Sequence, residues 1–577
     1  MRKRSIMLVF AAGVFVLNAA GAAERTLAID LTRTQKDLSR SCLGAQAHMF
    51  GSWYSMKKML DQGAAFSTFL SNIGSPVLRM ADFSMYDWFS REATTKMRDA
   101  NVMLGVIKRN KASIPEWEKV QPRDYAEVVK KYNIKSAPSE FTHKKNPPET
   151  AWFSMGEFHR FCRANGIRIV GFFSGENYYD DAADEVIHFG NNPEYFDGAV
   201  NNGMKRLSWI VKNGYQDLYV GWEIGNECWA SWDPVLFAQY ARKLANAAQA
   251  IQPGIWLAMP IMLRNTDDAH IQRFMAASPD SKKWFNWHDG VIPALGDDIK
   301  KISHLQIHVY GAASQYNAHY RGFETMSSVL EKFPQTAHMR YLVTEWRYTG
   351  VGGTNHRTFR TGAMWNAKFA MTLLSHPRVD YTTAHEFVCT SGLGYWTPGK
   401  GNAGPYEDGS EWVFQKLEDK GKELRSKDGL PHFDVGPFGP VNRMLNTLVT
   451  ECPVLIEHSS DLGAMSSALF ADGSGQQEMD EDKTDLEWFI CAAKDRSRIG
   501  GVIVNTRSHP TALSLAAGRD RLSIQSAEQM TCDADKQTLA EIPGEEKFWR
   551  VNAAAFDGGK LMLPPNSITS FRGIVSR

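Results

Sequence analysis

The chain has 577 residues, 43% of them hydrophobic, with 46 Gly, 24 Pro and a formal net charge of +1 at pH 7. That length calls for one large domain plus a smaller one, and the composition excludes a fibrous or disordered chain. The near-neutral balance, with no block of like charge, gives no global electrostatic case for binding nucleic acid.

The first residues, "MRKR", are basic, and "SIMLVFAAGVFVLNAAG" after them is apolar, ending near the small residues Ala20-Gly21-Ala22. This is the pattern of a secretory signal peptide over residues 1–22. The run is short for a bilayer span and contains Asn18, which argues against an anchor. No later stretch is apolar enough to cross a membrane, so a secreted or periplasmic protein is expected.

Residues 25–31, "RTLAIDL", alternate like a strand, and residues 23–42 are expected to join a β region late in the chain. From residue 43 a rhythm of short apolar strands and amphipathic segments begins. The strands read as 43–50, 75–82, 167–174, 218–227, 255–263, 302–311, 340–350 and 381–391. Between them lie helical patterns such as "LFAQYARKLANAAQAIQPG", which stops at Pro-Gly. Eight strands alternating with helices predict a (β/α)8 TIM barrel over residues 43–438. An open doubly wound sheet is the alternative, but no Gly-rich phosphate loop follows any strand. From 439 to 577 closely spaced strands such as "EWFICAAKD" and "IGGVIVNT" predict an all-β sandwich.

The seven cysteines (positions 42, 162, 228, 389, 452, 491 and 532) form no CxxC pair. Their odd count leaves at least one thiol unpaired, and nothing suggests a disulfide scaffold or zinc module. Cys228 reads as a small buried residue. The histidines are dispersed, so no metal centre and no cofactor are expected.

In such a barrel the active site lies at the C-terminal ends of the strands. Those ends carry His48, Arg79, Glu176, Asn226-Glu227, His308, Tyr310 and Glu345-Trp346. Glu227 and Glu345, closing the fourth and seventh strands, form a carboxylate pair of the kind that glycoside hydrolysis needs. Glu223 shares a strand face with Glu227 and reads as a buried pairing partner. Arg79 reads either as a site residue or as part of a salt-linked layer, and His308 as a contact or a core histidine.

"WEIGNE" on strand four with "VTEW" on strand seven resembles the clan A glycoside hydrolases. The terminal "LPPNSITSFRG" of an accessory sandwich sharpens the resemblance towards family 51 arabinofuranosidases and their relatives in families 39 and 79. The resemblance implies Glu227 as general acid/base, Glu345 as nucleophile and Asn226 as donor to a sugar 2-hydroxyl. It implies further that Tyr310 and Arg79 attend the nucleophile and that His308 contacts the acid/base or the sugar. Trp346, His48, Glu176 and Trp396 are candidate cleft residues.

The segment "WRYTGVGGTNHRTFRTG" after Glu345 holds Arg347, His356, Arg357 and Arg360 and no acid, and residues 91–149 carry an excess of Lys and Arg. Arginine grips carboxylates and sulfates in a bidentate manner, so Arg357 and Arg360 are candidate contacts to an anionic glycan. A solvated basic surface is the equal alternative.

The reading is a secreted retaining glycoside hydrolase acting on an oligo- or polysaccharide. An α-L-arabinofuranosidase acting on neutral glycans, an inverting or non-hydrolytic enzyme, and a non-catalytic carbohydrate-binding protein are the alternatives.

Overall fold

The computed structural model describes residues 23–46, 70–74, 77–79, 155–175, 177–180, 185–262, 276, 286–311, 330–348, 360–384, 394–397, 432–459, 486–507, 509–532, 549–557 and 559–576. Eight parallel strands close into a barrel in chain order: Cys42–Gln46, Val77–Arg79, Arg168–Phe173, Tyr219–Ile224, Leu257–Ile261, His304–Gly311, Arg340–Tyr348 and Val379–Ala384. The eighth pairs back onto the first, with Thr383 opposite Gly44. Each strand overlaps one expected from the sequence.

The wall around the barrel follows from helical periodicity. Helix Phe196–Lys212 buries Phe196, Val200, Met204, Leu207 and Ile210 along one stripe. Helix Pro234–Ile251 begins where Asp233 accepts hydrogen bonds from the backbone N–H groups of Val235 and Leu236, with Pro234 in the first turn. Trp222 faces this wall from strand four, stacked on Phe173 and Tyr219. Burying each such large side chain contributes roughly 1.5–3 kcal/mol.

Residues 438–451 correct the expected boundary. They form helix Phe438–Glu451, which belongs to the barrel wall rather than to the all-β region. The Asn446 carboxamide accepts from the Leu43 N–H and donates to the Leu43 carbonyl, both at 2.9 Å, and Asn442 donates to the Ile73 carbonyl at 2.7 Å. The apolar pattern of this helix abuts the strand Val454–Ser459 after a single break at Cys452-Pro453, so composition did not separate them.

Beyond it lie two packed sheets. One has seven strands, from Lys36–Asp37 at one edge through Leu486–Ala492 to Trp549–Ala553 at the other. The other has four and includes Ala23–Ala28 beside Thr511–Ala516 in parallel register. Ile456, Ile490, Ile503, Leu513, Leu561 and Phe571 fill the space between the sheets. The opposite face of the seven-stranded sheet, with Leu455, Phe489, Val502 and Val504, shares the barrel's core. Lys368 and Glu487, both fully buried, meet at 3.0 Å across this junction. Six described cysteines are free thiols, and no described helix is long and apolar enough to cross a membrane.

Candidate active site

The turn after strand four sets the site. The strand ends at Ile224, Gly225 adopts φ +75°, and Glu227 sits in the left-handed region at φ 47°, ψ 33°. A β-carbon on Gly225 would lie 2.3 Å from the Cys228 sulfur and 3.1 Å from the Gly175 backbone. Only glycine fits there, and Cys228 is the small buried residue that completes the turn. Tyr240 and Trp232 donate to the Ser174 and Gly175 carbonyls at 2.6 and 2.8 Å, tying the neighbouring strand end to the same wall. A left-handed glutamate is costly, and such outliers concentrate at functional sites.

Strand seven reaches the same place by another device. Ile307 pairs with Val343 but His308 with Glu345, so strand seven carries one extra residue, Thr344, against strand six. Strand eight shows a matching shift. Such a bulge re-aims the side chains that follow it. Glu345 turns towards the barrel axis, while Trp346 turns outward.

Three strand ends, those of strands two, four and seven, converge on one cation. Arg79, fully buried at the end of strand two, donates from Nε to Glu223 Oε2 at 2.6 Å. Its Nη1 donates to Glu345 Oε1 at 2.5 Å and its Nη2 to Asn226 Oδ1 at 2.7 Å. Burial by itself would pull the Arg79 pKa down, but the Glu223 and Glu345 carboxylates more than offset this and raise it. The guanidinium therefore remains charged. On the other side, His308 Nδ1 lies 2.9 Å from Glu227 Oε1 and 3.5 Å from Glu345 Oε2. The Gln306 amide nitrogen abuts His308 Nε2 at 3.2 Å, which leaves Nδ1 to face both acids.

One ligand atom each from Glu227, His308 and Glu345 lies within 4.8 Å of the others, close enough to share a cation. Arg79 already places a positive charge against Glu345, and like-charge repulsion opposes a second cation there.

The structure thus brings together Arg79, Asn226, Glu227, His308 and Glu345, with Glu223 as the pairing partner read from strand four. Trp346 is a correction. It is fully buried and packs edge-on against Phe369 and Phe438, behind the strand and away from the mouth. Alternation from an inward Glu345 points its neighbour outward, so the two could not both line the cleft. Gln306 was missed, although its position two residues before His308 on one strand face was a usable signal. Tyr310 lies on strand six, Arg360 opens the helical turn Arg360–Trp365, and Trp396 lies in the hairpin strand Gly394–Thr397; their side chains fall outside the described set. His48, Glu176 and Arg357 lie outside the described residues.

No protein-family model matches the chain, and no curated protein does. Solved structures do. A family 51 α-L-arabinofuranosidase from Bifidobacterium longum is 11% identical, over 95% of this chain and 98% of its own, with a TM-score of 0.53. An α-L-arabinofuranosidase from Thermotoga maritima, solved with arabinose, is 12% identical over 94% and 98%, with a TM-score of 0.51. A family 51 arabinofuranosidase from Xanthomonas axonopodis pv. citri is 12% identical over 95% and 99%, with a TM-score of 0.52. Over nearly its whole length the chain therefore shares the barrel-and-sandwich fold of these clan A enzymes.

Proposed function

We propose that the protein is a glycoside hydrolase that retains anomeric configuration by a two-glutamate double displacement. The observation that carries this reading is the spacing of Glu227 and Glu345, which bring carboxylate oxygens within 4.8 Å of each other at the barrel mouth. Retaining enzymes hold their carboxyl groups about 5–5.5 Å apart, whereas inverting ones need roughly 6.5–9.5 Å to admit a water between them.

The two acids have different surroundings, and so different roles. The Glu345 side chain is 10% exposed and gripped by Arg79, whose charge favours its carboxylate form. Glu227 is 38% exposed and faces His308. Glu345 attacks the anomeric carbon through Oε2, the oxygen that faces His308 rather than Arg79. Glu227 gives its proton to the departing oxygen, then takes a proton from the water that hydrolyses the glycosyl-enzyme. Asn226 accepts from Arg79 through Oδ1, which leaves its amide N–H groups to donate to a sugar hydroxyl. Aryl glycosides followed by NMR test the reading, together with a fluorinated glycoside that traps the intermediate. Inverted product, or a label on any residue other than Glu345, overturns it; glycan binding without turnover would favour the non-catalytic alternative.

For the substrate we favour an anionic glycan, carrying uronate or sulfate, delivered to an exported enzyme. Support comes from the acid-free basic run after Glu345, the excess of Lys and Arg in residues 91–149, and the signal-like residues 1–22. Substituting both Arg357 and Arg360 with Ala is expected to raise KM several-fold on such a glycan, most strongly at low salt, and to spare a small neutral aryl glycoside. A neutral α-L-arabinofuranoside is the second reading, favoured by the names of the family 51 neighbours. Highest activity on arabinan, with no salt dependence, would decide for it.

A further inference from the structure

We infer that Glu223 is a positioning residue that holds the Nε edge of Arg79 away from the nucleophile, so that, with Asn226 on Nη2, the guanidinium meets Glu345 through one nitrogen; the inference rests on the double-displacement reading above. A guanidinium facing a lone carboxylate in a dry site prefers a bidentate fork, with two parallel N–H groups on the two oxygens. Arg79 does not make that fork with Glu345. It offers a single nitrogen, Nη1, to Oε1 alone. Glu223 Oε2 holds Nε at 2.6 Å, which turns the Nε–Nη2 edge away from Glu345, and Asn226 holds Nη2 at 2.7 Å, which occupies the second arm of the Nη1–Nη2 edge. Each nitrogen of the guanidinium thus has a different acceptor, and Glu345 Oε2 is left towards His308 and the mouth, where an anomeric carbon would sit.

The way Glu223 is used supports a role beyond packing. It is fully buried on strand four, one layer beneath the mouth, and its Oε1 makes no hydrogen bond to any described residue. A buried carboxylate with one oxygen unsatisfied is costly. An acid serving only the fold would gain by satisfying both oxygens or by being replaced with an apolar residue. Glu223 instead commits itself to one edge of Arg79. The effect is twofold: it fixes the orientation in which Arg79 meets Glu345, and it takes a share of a positive charge that would otherwise bear wholly on the nucleophile and dull its attack.

The test compares wild type, Glu223→Gln and Glu223→Asp on an aryl glycoside, together with the rate of labelling by a fluorinated glycoside. Gln keeps the shape and removes the charge. In Glu223→Gln, kcat and the labelling rate constant are expected to fall about 10–100-fold, the range that a small misplacement of a reacting group produces, while KM and the inhibitor's binding constant stay within about threefold. Glu223→Asp, which keeps the charge, should fall between Gln and wild type. A folded Gln variant with wild-type kcat and labelling rate overturns the inference, as does a loss carried by KM. Should the Gln variant not fold, the Asp variant decides: lowered kcat at unchanged KM supports the inference, and wild-type constants overturn it. A wild-type protein that neither turns over nor becomes labelled would instead overturn the glycosidase reading itself.

Discussion

The two ends of the barrel hold buried charge in opposite ways. At the floor, where the strands begin, Asp380 takes a two-nitrogen grip from Arg340 at 2.5 and 2.6 Å and lies 3.1 Å from His304. Lys36, arriving from the seven-stranded sheet, donates to the carbonyls of Leu374 and Val379 at 2.6 and 2.5 Å. At the mouth a single guanidinium faces Glu223 and Glu345, with Glu227 close by. Among the described residues the floor pairs Asp380 with a cation, and the mouth sets three acids against one guanidinium. Pairing is what stability alone would select. An unbalanced cluster persists where charge has work to do in a reaction.

That contrast implies that substitutions at the mouth and at the floor separate activity from stability. The largest effect is expected for Glu345→Gln. Turnover should drop to background and labelling should vanish, while the denaturation midpoint holds or rises because Arg79 keeps Glu223 as partner. An unfolded variant in circular dichroism would break the contrast at once.

Glu227→Gln should lower kcat/KM by about 10²–10⁴ on poor leaving groups and far less on activated ones. Azide should restore turnover of the activated substrates as a glycosyl azide. Equal losses on both substrate types would remove Glu227 from the acid role.

The floor should answer in the other currency. Asp380→Asn is expected to cost roughly 2–3 kcal/mol in urea unfolding with kcat unchanged. The usual cost of breaking a buried pair is about 3–5 kcal/mol, reduced here because the Arg340 side chain is 36% exposed and can be solvated. A large fall in kcat would mean that the two ends are coupled through the strands.

The smallest effect concerns pH. Burial, aided by the cations Lys36, Arg378 and Arg340, pulls the His376 pKa down to about 4, and burial likewise lowers that of His304 despite Asp380. The unfolded chain, with histidines near 6.5, binds more protons than the folded one between those values. Stability is therefore full above about pH 6.5 and declines as pH falls towards 4. His376→Gln should flatten part of that slope in unfolding measured from pH 7 to 4. An unchanged slope would show that His376 is protonated in the folded protein too.

Local rules of the chain determined the eight-strand rhythm, because an apolar run ending in polar groups is a backbone and solvation pattern readable residue by residue. They also determined that Asn226-Glu227 and Glu345 close two of those strands. What they could not carry were features set by partners far away in the chain. The bulge that turns Glu345 inward and Trp346 outward exists only in the register between strands six and seven. The helix Phe438–Glu451 read as the start of the β region because its side-chain hydrogen bonds to Leu43 and Ile73 span more than 350 residues and leave no mark on local composition. The three-way grip of Arg79 likewise joins residues 144, 147 and 266 positions distant. A side chain's type is written in the sequence, but what it neutralises is decided by closure of the barrel, because electrostatic pairing depends on separation in space and not along the chain.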